Sequence, residues 1–195
     1  TDLPEGGFIC SFNGPHSLFV DTIRSCRILV ASHLMGHSLH GEGDRKISLL
    51  ERALQHIEAT AKYSIYYGEG RDHYDIWGRT AHEIIFNTND GQVRCPNAQQ
   101  GYTGFSTWTR GLAWGMLGFA EELEALELVN NDELTALGGF DKIEEMMLKG
   151  AKATCDFYIE HTPSCGVTYW DTGAPNLHKL GDYLDRPADP YNDWE

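Results

Sequence analysis

The chain has 195 residues, of which 41% are hydrophobic and 11% aromatic, which is enough for one globular domain with a core. The formal net charge is −14, from 29 acidic and 15 basic residues, and such a surface repels phosphate and disfavours nucleic acid as a partner. No apolar run approaches the roughly 20 residues of a membrane span, so the sequence predicts no membrane partner.

The cysteines and histidines indicate neither a disulfide framework nor a zinc site. The five cysteines are odd in number and include no Cys-x-x-Cys pair, which favours free thiols in the core. His33, His37 and His40 have spacings of four and three that could place them near one helix face. A metal site is the alternative there, but a solvated helix end is favoured, and the sequence predicts no metal and no cofactor.

The first third of the chain predicts two helices. A turn at residues 13–15, with proline at the first helical position, precedes a helix that extends to about Leu39. Asp44 is a suitable cap for a second, amphipathic helix, because apolar residues recur at spacings of three and four up to Ala61. The first helix is apolar around most of its circumference, which predicts burial on several sides. Its apolar residues are Leu18, Phe19, Val20, Ile23, Ile28, Leu29, Val30, Leu34 and Met35.

The rest of the chain predicts long loops, a short β-hairpin and two more helices. Residues 68–79 form a loop rich in aromatic and charged side chains, and residues 82–86 form a short strand before a tight turn at 89–91. Ser106 is a plausible cap for a third helix that extends to about Leu128. A fourth, amphipathic helix covers residues 140–160, and a short strand is possible at 167–170.

The order of inner helix, outer helix and long loop occurs twice. Repeated helical hairpins can close into an α/α toroid, with the inner helices around an axis and long loops forming a cleft. We therefore predict an all-α fold, part of an (α/α)6 barrel with long loops and a short β-hairpin. Two hairpins are too few for a ring, so we expect residues 1–195 to be part of a single toroid domain that is truncated at both ends.

The densest group of candidate functional residues lies in the segment from Gln99 to Trp114. Arg110 and Trp114 are four residues apart and share a helix face, while Trp108 stands at the helix start. Indole rings stack on the apolar faces of sugars, and a guanidinium binds a carboxylate through two hydrogen bonds. The alternative is a core aromatic cluster with an isolated arginine, and the pattern alone favours that alternative.

Asp21 is a candidate general acid because it lies among Phe19, Val20 and Ile23 on the most apolar predicted helix. Burial disfavours the ionised form of a carboxyl group, and a general acid must hold its proton near neutral pH. An equally weighted alternative is a buried aspartate bonded to Arg24, Arg27 or a backbone group.

Two further candidates are ambiguous from the residues alone. His82 begins the short predicted strand, and a lone histidine at a strand end is usually structural. The segment Tyr169-Trp170-Asp171 places aromatic and acidic groups in the last long loop.

Four segments resemble, in the same order, the bacterial unsaturated glucuronyl hydrolases of glycoside hydrolase family 88. The most specific is QGYTGFSTWTRGLAWGMLGF, which is similar to the family pattern HQGxxDxSxWxRGQAWxxYGF. AHEIIFNTNDGQ resembles a hairpin that carries a histidine, and VDTIRSCRILVASHLMG resembles the helix that carries the catalytic aspartate. GVTYWDTGAP resembles a later loop with a Tyr-Trp-Asp motif.

The resemblance implies a role for each matching residue. Asp21 matches the general acid and base, and His82 matches a histidine that lines the sugar site. Arg110 is the best candidate for recognising the carboxylate of an unsaturated uronic acid. The other residues expected to bind this sugar are Gln100, Trp108, Trp114 and Trp170.

The reaction that the resemblance implies is hydration of a vinyl ether. The substrate is an oligosaccharide left by a polysaccharide lyase, with a 4,5-unsaturated uronic acid at its non-reducing end. Protonation at C4 produces an oxocarbenium-like centre at C5, and water adds there. The resulting hemiketal opens and releases the remaining saccharide.

This sequence departs from the family pattern at several positions. Gln99 stands where the family often has histidine, Leu112 stands where it often has glutamine, and the segment between Tyr66 and Arg79 is longer than expected. The family also implies a second essential aspartate upstream of Asp21, whereas only Asp2 precedes it here.

Three alternative functions remain open. An unsaturated rhamnogalacturonyl hydrolase shares the fold and the chemistry and would prefer pectin-derived substrates. A sugar epimerase on a similar toroid would convert saturated sugars. A non-catalytic glycan-binding protein would bind the unsaturated oligosaccharide without consuming it.

Overall fold

The computed structural model describes residues 7–41, 45–175 and 177, and within them the chain forms five α-helices and five short strands. The helices are α1 (Cys26–Leu34), α2 (Leu49–Ala59), α3 (Thr109–Leu126), α4 (Asn131–Ala136) and α5 (Phe140–Glu160). The strands are β1 (Ser17–Phe19), β2 (Leu39–His40), β3 (Lys46–Ile47), β4 (Glu83–Phe86) and β5 (Val93–Asn97). A 3₁₀ helix, Val20–Ser25, precedes α1, and a π-helical turn, Thr60–Ser64, follows α2.

The segment predicted as one long helix from Pro15 to Leu39 is divided into several elements, so that prediction was wrong. β1 pairs antiparallel with β4, which lies more than sixty residues further along the chain. The 3₁₀ helix follows, α1 ends at Leu34, and β2 pairs with β3. Apolar periodicity could not reveal this pairing because the partner strand is distant in sequence.

The predicted burial of this segment holds for its first part, where Leu18, Val20 and Ile23 are fully buried, but it was wrong for α1. Within α1, only Cys26 and Val30 are buried, whereas Ile28 and Leu34 are exposed. Met35, which follows the last turn, is 75% exposed. The apolar circumference therefore includes a face that no other described element covers.

The second predicted helix begins later than expected. Ser48, rather than Asp44, caps α2, because the Ser48 hydroxyl accepts a hydrogen bond from the Glu51 backbone N–H at 3.2 Å. Asp44 itself lies outside the described residues. At the other end, the guanidinium of Arg71 donates to the carbonyls of Lys62, Tyr63 and Ile65 and so satisfies acceptors of the π-helical turn.

The predicted β-hairpin is confirmed. β4 and β5 pair antiparallel across a turn in which Gly91 adopts a φ of 70°, and β1 completes a three-stranded sheet in the order β1-β4-β5. His82 lies immediately before β4. The strand predicted at residues 167–170 is absent; within the described residues only Asp171 of this region forms a β-bridge, with Trp108.

The two long helices in the second half of the chain were predicted well. The predicted limits of α5 are those observed, whereas α3 begins at Thr109 rather than after a cap at Ser106. The Ser106 hydroxyl instead donates to the Thr103 carbonyl within its own turn. The short α4 was not predicted.

The helices form two packed pairs around a shared core. α1 packs on α2, α3 packs on α5, and α3 also contacts α1 and the 3₁₀ helix. The largest fully buried side chains of the helical core are Ile23, Leu50, Ile57, Ile65, Phe119, Leu126, Leu134 and Met147. No helix in the described part of the chain is long and apolar enough to cross a membrane.

The long loop at residues 68–79 is held firmly by one buried arginine. The guanidinium of Arg79 forms a salt bridge with Asp72 at 2.7 Å and donates to the carbonyl of Phe105 at 3.1 Å. It also lies 3.6 Å from the ring centroid of Tyr66. Arg79 therefore fixes this loop against the segment that leads into α3.

Candidate functional site

Asp21 lies on the 3₁₀ helix, which packs closely against α3 because three glycines of α3 face it. A β-carbon at Gly118 would lie 2.4 Å from Cγ2 of Ile23, and one at Gly111 would lie 3.5 Å from Cγ1 of Val20. A β-carbon at Gly115 would contact Val20 at an ordinary 3.5 Å. The glycines thus allow the segment that carries Asp21 to approach the N-terminal half of α3.

His82 is the neighbour of Asp21. Its Nε2 lies 3.6 Å from Oδ1 of Asp21, and its Nδ1 accepts hydrogen bonds from the backbone N–H groups of Gln99 at 3.1 Å and Gln100 at 3.4 Å. Because Nδ1 is the acceptor, the hydrogen of the neutral ring lies on Nε2 and faces Asp21. The Asp21 side chain is 26% exposed, yet its Oδ1 is buried and has no hydrogen-bond partner within normal distance among the described residues.

Trp108 and Arg110 continue this cluster. The rings of His82 and Trp108 have centroids 4.4 Å apart, and the guanidinium of Arg110 lies 4.7 Å from the Trp108 ring. Arg110 also donates a hydrogen bond to Oε1 of Gln100 at 3.2 Å. Trp108 is buried whereas Arg110 is exposed, so the cluster extends from a dry interior to an accessible cation.

Trp170 joins the same group through the last described loop. Its indole N–H donates to the Gln100 carbonyl at 3.0 Å, and its own carbonyl accepts from the first N–H of α3, at Thr109, at 3.1 Å. That N–H would otherwise lack a partner within the helix. Trp170 is 40% exposed, so its ring remains available at the edge of the cluster.

Trp114 is the predicted site residue that the structure places with a different partner. The guanidinium of Arg24 lies 4.1 Å from the Trp114 ring, and within the described residues no ring stacking, cation–π pair or hydrogen bond joins Trp114 to Trp108 or Arg110. The alternative pairing of Asp21 with Arg24 or Arg27 is not observed, because Arg27 instead reaches Glu121 at 3.4 Å and Glu124 at 3.7 Å. The acid therefore faces His82 rather than a basic residue of its own segment.

Asp171, the acid of the last loop, has a structural role. It is fully buried, and its two oxygens accept from the backbone N–H groups of Tyr102 and Gly173, each at 2.8 Å. Its Oδ2 thus joins the last loop to the segment before α3, and its Oδ1 closes a turn within the last loop itself.

The three histidines with helical spacing are not gathered around a metal. His33 lies 2.7 Å from the carboxylate of Glu133, while His37 and His40 are exposed. Within the described residues, no group of three His, Cys, Asp or Glu side chains is arranged as a metal site.

Glu83 is a buried acid beside the site that the sequence did not single out. Ser17, Asn13, Asn97 and Gln99 donate side-chain hydrogen bonds to its carboxylate. Burial raises the pKa of Glu83, but these four bonds outweigh it and hold the pKa below its ordinary value. The available signal was an acid between His82 and the apolar pair Ile84-Ile85, a position where an unpaired charge would be costly.

Together these contacts define a carboxyl group, an imidazole N–H, a buried indole and an exposed guanidinium on connected segments. Such a group of side chains can hold an anionic sugar ring and move a proton, and it is carried by helical hairpins with a small sheet. The fold and the site therefore define a protein of the α/α-toroid class with a candidate carbohydrate site.

Two curated relatives of the chain support this assignment. The chain is 31% identical over 127 residues to unsaturated glucuronyl hydrolase from Formosa agariphila, covering 64% of this chain and 26% of the relative. It is 34% identical over 94 residues to the enzyme of that name from Bacillus sp. strain GL1, covering 48% of this chain and 21% of the relative. The chain thus spans about a quarter of the length of these curated relatives. No family model matches it.

Solved structures show the same fold. The crystal structure of unsaturated glucuronyl hydrolase from Streptococcus agalactiae matches 95% of this chain and 38% of that chain, with 21% identity and a TM-score of 0.61. A mutant unsaturated glucuronyl hydrolase from the same organism, complexed with dGlcA-GalNAc6S, matches 88% of this chain and 35% of that chain, with 19% identity and a TM-score of 0.51. The resemblance to unsaturated glucuronyl hydrolases and the predicted fold class are confirmed.

Proposed function

We propose that the protein to which these residues belong removes a 4,5-unsaturated uronic acid from the non-reducing end of oligosaccharides left by lyases. The names of its relatives and the complex of a structural neighbour with an unsaturated glucuronyl disaccharide support this substrate class. The observation that carries the proposal is the Asp21–His82 pair, with its 3.6 Å separation, packed beside Trp108. We further propose that residues 1–195 belong to a single toroid domain.

Each residue of the cluster has a role in this proposal. Arg110 binds the carboxylate of the uronic acid, because its exposed guanidinium is oriented by Trp108 and Gln100. The indoles of Trp108 and Trp170 border the sugar, and Gln100 supplies polar contacts. The guanidinium of Arg24 lies over the ring of Trp114 and supplies a second cation near the same helix face.

Asp21 supplies the proton in the proposed reaction. Its carboxyl group protonates C4 of the double bond, and positive charge then develops at C5 and the ring oxygen. Water attacks C5 and returns a proton to the Asp21 carboxylate, which restores the acid. The hemiketal at C5 opens, and the hemiacetal at C1 expels the remaining saccharide.

Replacement of Asp21 by Asn tests this role. Asp21→Asn removes the proton donor while keeping the size of the side chain, so we expect the loss of double-bond absorbance to cease. The matched control is Asp141→Asn, an exposed acid at the start of α5, which should retain full activity. Retained activity in Asp21→Asn would contradict the role of Asp21.

The same assay separates the alternatives. Chondroitin- or heparin-type disaccharides and pectin-derived unsaturated disaccharides should be offered in parallel, since preference for the latter would indicate a rhamnogalacturonyl hydrolase. Binding of an unsaturated disaccharide by calorimetry without any loss of absorbance in the unmodified protein would indicate a glycan-binding protein instead.

A further inference from the structure

Glu83 connects three separate segments of the chain next to His82. Its Oε1 accepts from the Ser17 hydroxyl of β1 at 2.5 Å and from the Asn13 amide at 3.1 Å. Its Oε2 accepts from the Asn97 amide of β5 at 2.6 Å and from the Gln99 amide at 2.9 Å. A fully buried carboxylate with four donors is rigid, because any movement would leave a charge partly unpaired.

Gln99 links this carboxylate to the imidazole of His82. Its side chain is bound to Glu83, and its backbone N–H donates to Nδ1 of His82 at 3.1 Å, with the next N–H, that of Gln100, at 3.4 Å. The carbonyl of His82 in turn accepts from the backbone N–H of Val20 at 3.0 Å, immediately before Asp21. The backbone of His82 is therefore held by the segment that carries Asp21, and its ring is held by the 99–100 backbone.

The two N–H donors determine which ring nitrogen of His82 carries the hydrogen. A neutral imidazole has one donor and one acceptor nitrogen, and Nδ1 is occupied as the acceptor. If the 99–100 backbone moved away, the ring could carry its hydrogen on Nδ1, and an unprotonated Nε2 would then face Asp21. The hydrogen bonds to Nδ1 thus determine whether Nε2 acts as a hydrogen-bond donor or as an acceptor towards Asp21 or a substrate.

We infer that Glu83 and Gln99 are positioning residues that hold the 99–100 backbone against His82 and so fix its ring tautomer and orientation for the reaction. The catalytic consequence rests on the proposed function, whereas the tautomer does not. The side-chain amide of Gln99 bonds to the buried Glu83 carboxylate, and this bond keeps the backbone N–H of Gln99 in place against His82.

The test compares two single substitutions that each remove one amide hydrogen bond to Glu83. Gln99→Ala removes the link to the 99–100 backbone, and Asn13→Ala removes an equivalent bond from the other oxygen without touching that backbone. Protein labelled with ¹⁵N in its nine histidines reports the ring nitrogens of His82, which are assigned by comparison with His82→Gln. Steady-state kinetics on an unsaturated disaccharide provide kcat and KM for the same proteins.

We expect a single tautomer with hydrogen on Nε2 in the unmodified protein and in Asn13→Ala, and a mixture of tautomers in Gln99→Ala. We also expect kcat of Gln99→Ala to fall by about tenfold to a hundredfold, with KM little changed. An unchanged His82 tautomer in Gln99→Ala, or equal effects of the two substitutions, would overturn the inference. Absence of turnover in the unmodified protein would refute the proposed function, and the ring-nitrogen signals would still decide this inference.

Discussion

Arg110 is an exposed cation whose direction is set by two neighbours. It lies over the buried ring of Trp108, and its Nη2 donates to Gln100, so the planar guanidinium has fewer orientations than a free surface arginine. An oriented guanidinium loses less conformational entropy when it binds a carboxylate. This geometry supports the role proposed for Arg110 in recognising the carboxylate of an anionic sugar.

Replacement of Arg110 by Lys therefore tests recognition separately from proton transfer. Lysine keeps the charge but cannot bind a carboxylate with a planar pair of donors, so Arg110→Lys should raise KM by about tenfold with little change in kcat. Steady-state kinetics on an unsaturated disaccharide provide the measurement. Arg94→Lys, on the exposed strand β5, is the control and should leave both constants unchanged. A fall in kcat at constant KM would place Arg110 in the chemical step instead.

At the residue level, the sequence indicated which side chains belong to the group around Asp21 and His82, but it did not indicate which of them contact one another. Asp21, His82, Trp108 and Arg110 were singled out because an acid among apolar residues, motif spacing and the resemblance to a family pattern are each visible in one segment at a time. Glu83 was missed because its donors come from segments that are distant in sequence and meet only in the folded sheet.

At the scale of elements, the contact between α3 and the 3₁₀ helix places Asp21. Gly118 has no room for a side chain, since a β-carbon would lie 2.4 Å from Cγ2 and 3.0 Å from Cβ of Ile23. Gly115, one turn earlier on the same helix, has ordinary contact distance to Val20. The two glycines thus differ in how closely the neighbouring segment approaches.

This difference predicts opposite effects of the same substitution. Gly118→Ala should lower the free energy of unfolding by about 1–3 kcal/mol, because Ile23 and the 3₁₀ helix must shift, and activity should fall as Asp21 moves. Gly115→Ala should raise it by about 0.5–1 kcal/mol, because alanine favours the helix and no clash follows. Urea unfolding monitored by circular dichroism measures both values. Equal effects at the two positions would show that the close approach does not hold the 3₁₀ helix in place.

Elements stabilised by local signals were predicted, and those stabilised by distant partners were not. The amphipathic period of α5 and the Asn-Asp-Gly turn of the β4–β5 hairpin are local, and both predictions were confirmed. β1 was predicted as helix because Leu18 and Phe19 fit an apolar helix, whereas the pairing with β4 that makes them a strand is non-local.

At the scale of the whole molecule, two buried titratable groups make stability depend on pH in opposite directions. Burial lowers the pKa of His56 from 6.5 to about 3, and the His56 ring accepts a hydrogen bond from the Ile9 backbone N–H at Nδ1. Burial, followed by the charge of Glu121, raises the pKa of Glu122 from 4.5 to about 8. Both oxygens of Glu122 lack close hydrogen-bond partners among the described residues, and the nearby Arg27 offsets only part of the cost of burying its ionised form.

The sign of each effect follows from proton binding in the folded and unfolded states. Between pH 6.5 and about 8 the folded state holds the Glu122 proton and the unfolded state does not, so stability falls as the pH rises. Between pH 4.5 and about 3 the unfolded state binds the His56 proton and the folded state does not, so stability falls as the pH decreases. From pH 4.5 to 6.5 the two effects cancel, which predicts a stability plateau.

Thermal unfolding across this pH range, followed by circular dichroism, tests the plateau and its origin. Along the alkaline limb, from pH 6.5 to pH 8, the free energy of unfolding should fall by about 1–2 kcal/mol, since one proton contributes about 1.4 kcal/mol per pH unit. The acid limb is the fall in stability below pH 4.5. Glu122→Gln keeps the shape of the side chain without its ionisation, so it should remove the alkaline limb. It should also extend the acid limb up to pH 6.5, because nothing then cancels the effect of His56 between pH 4.5 and 6.5. His56→Asn should extend the alkaline limb down to pH 4.5 and weaken the acid limb, of which the hydrogen-bonded Glu83 carboxylate preserves part. An alkaline limb that persists in Glu122→Gln would show that this buried carboxyl is not the group whose ionisation opposes folding.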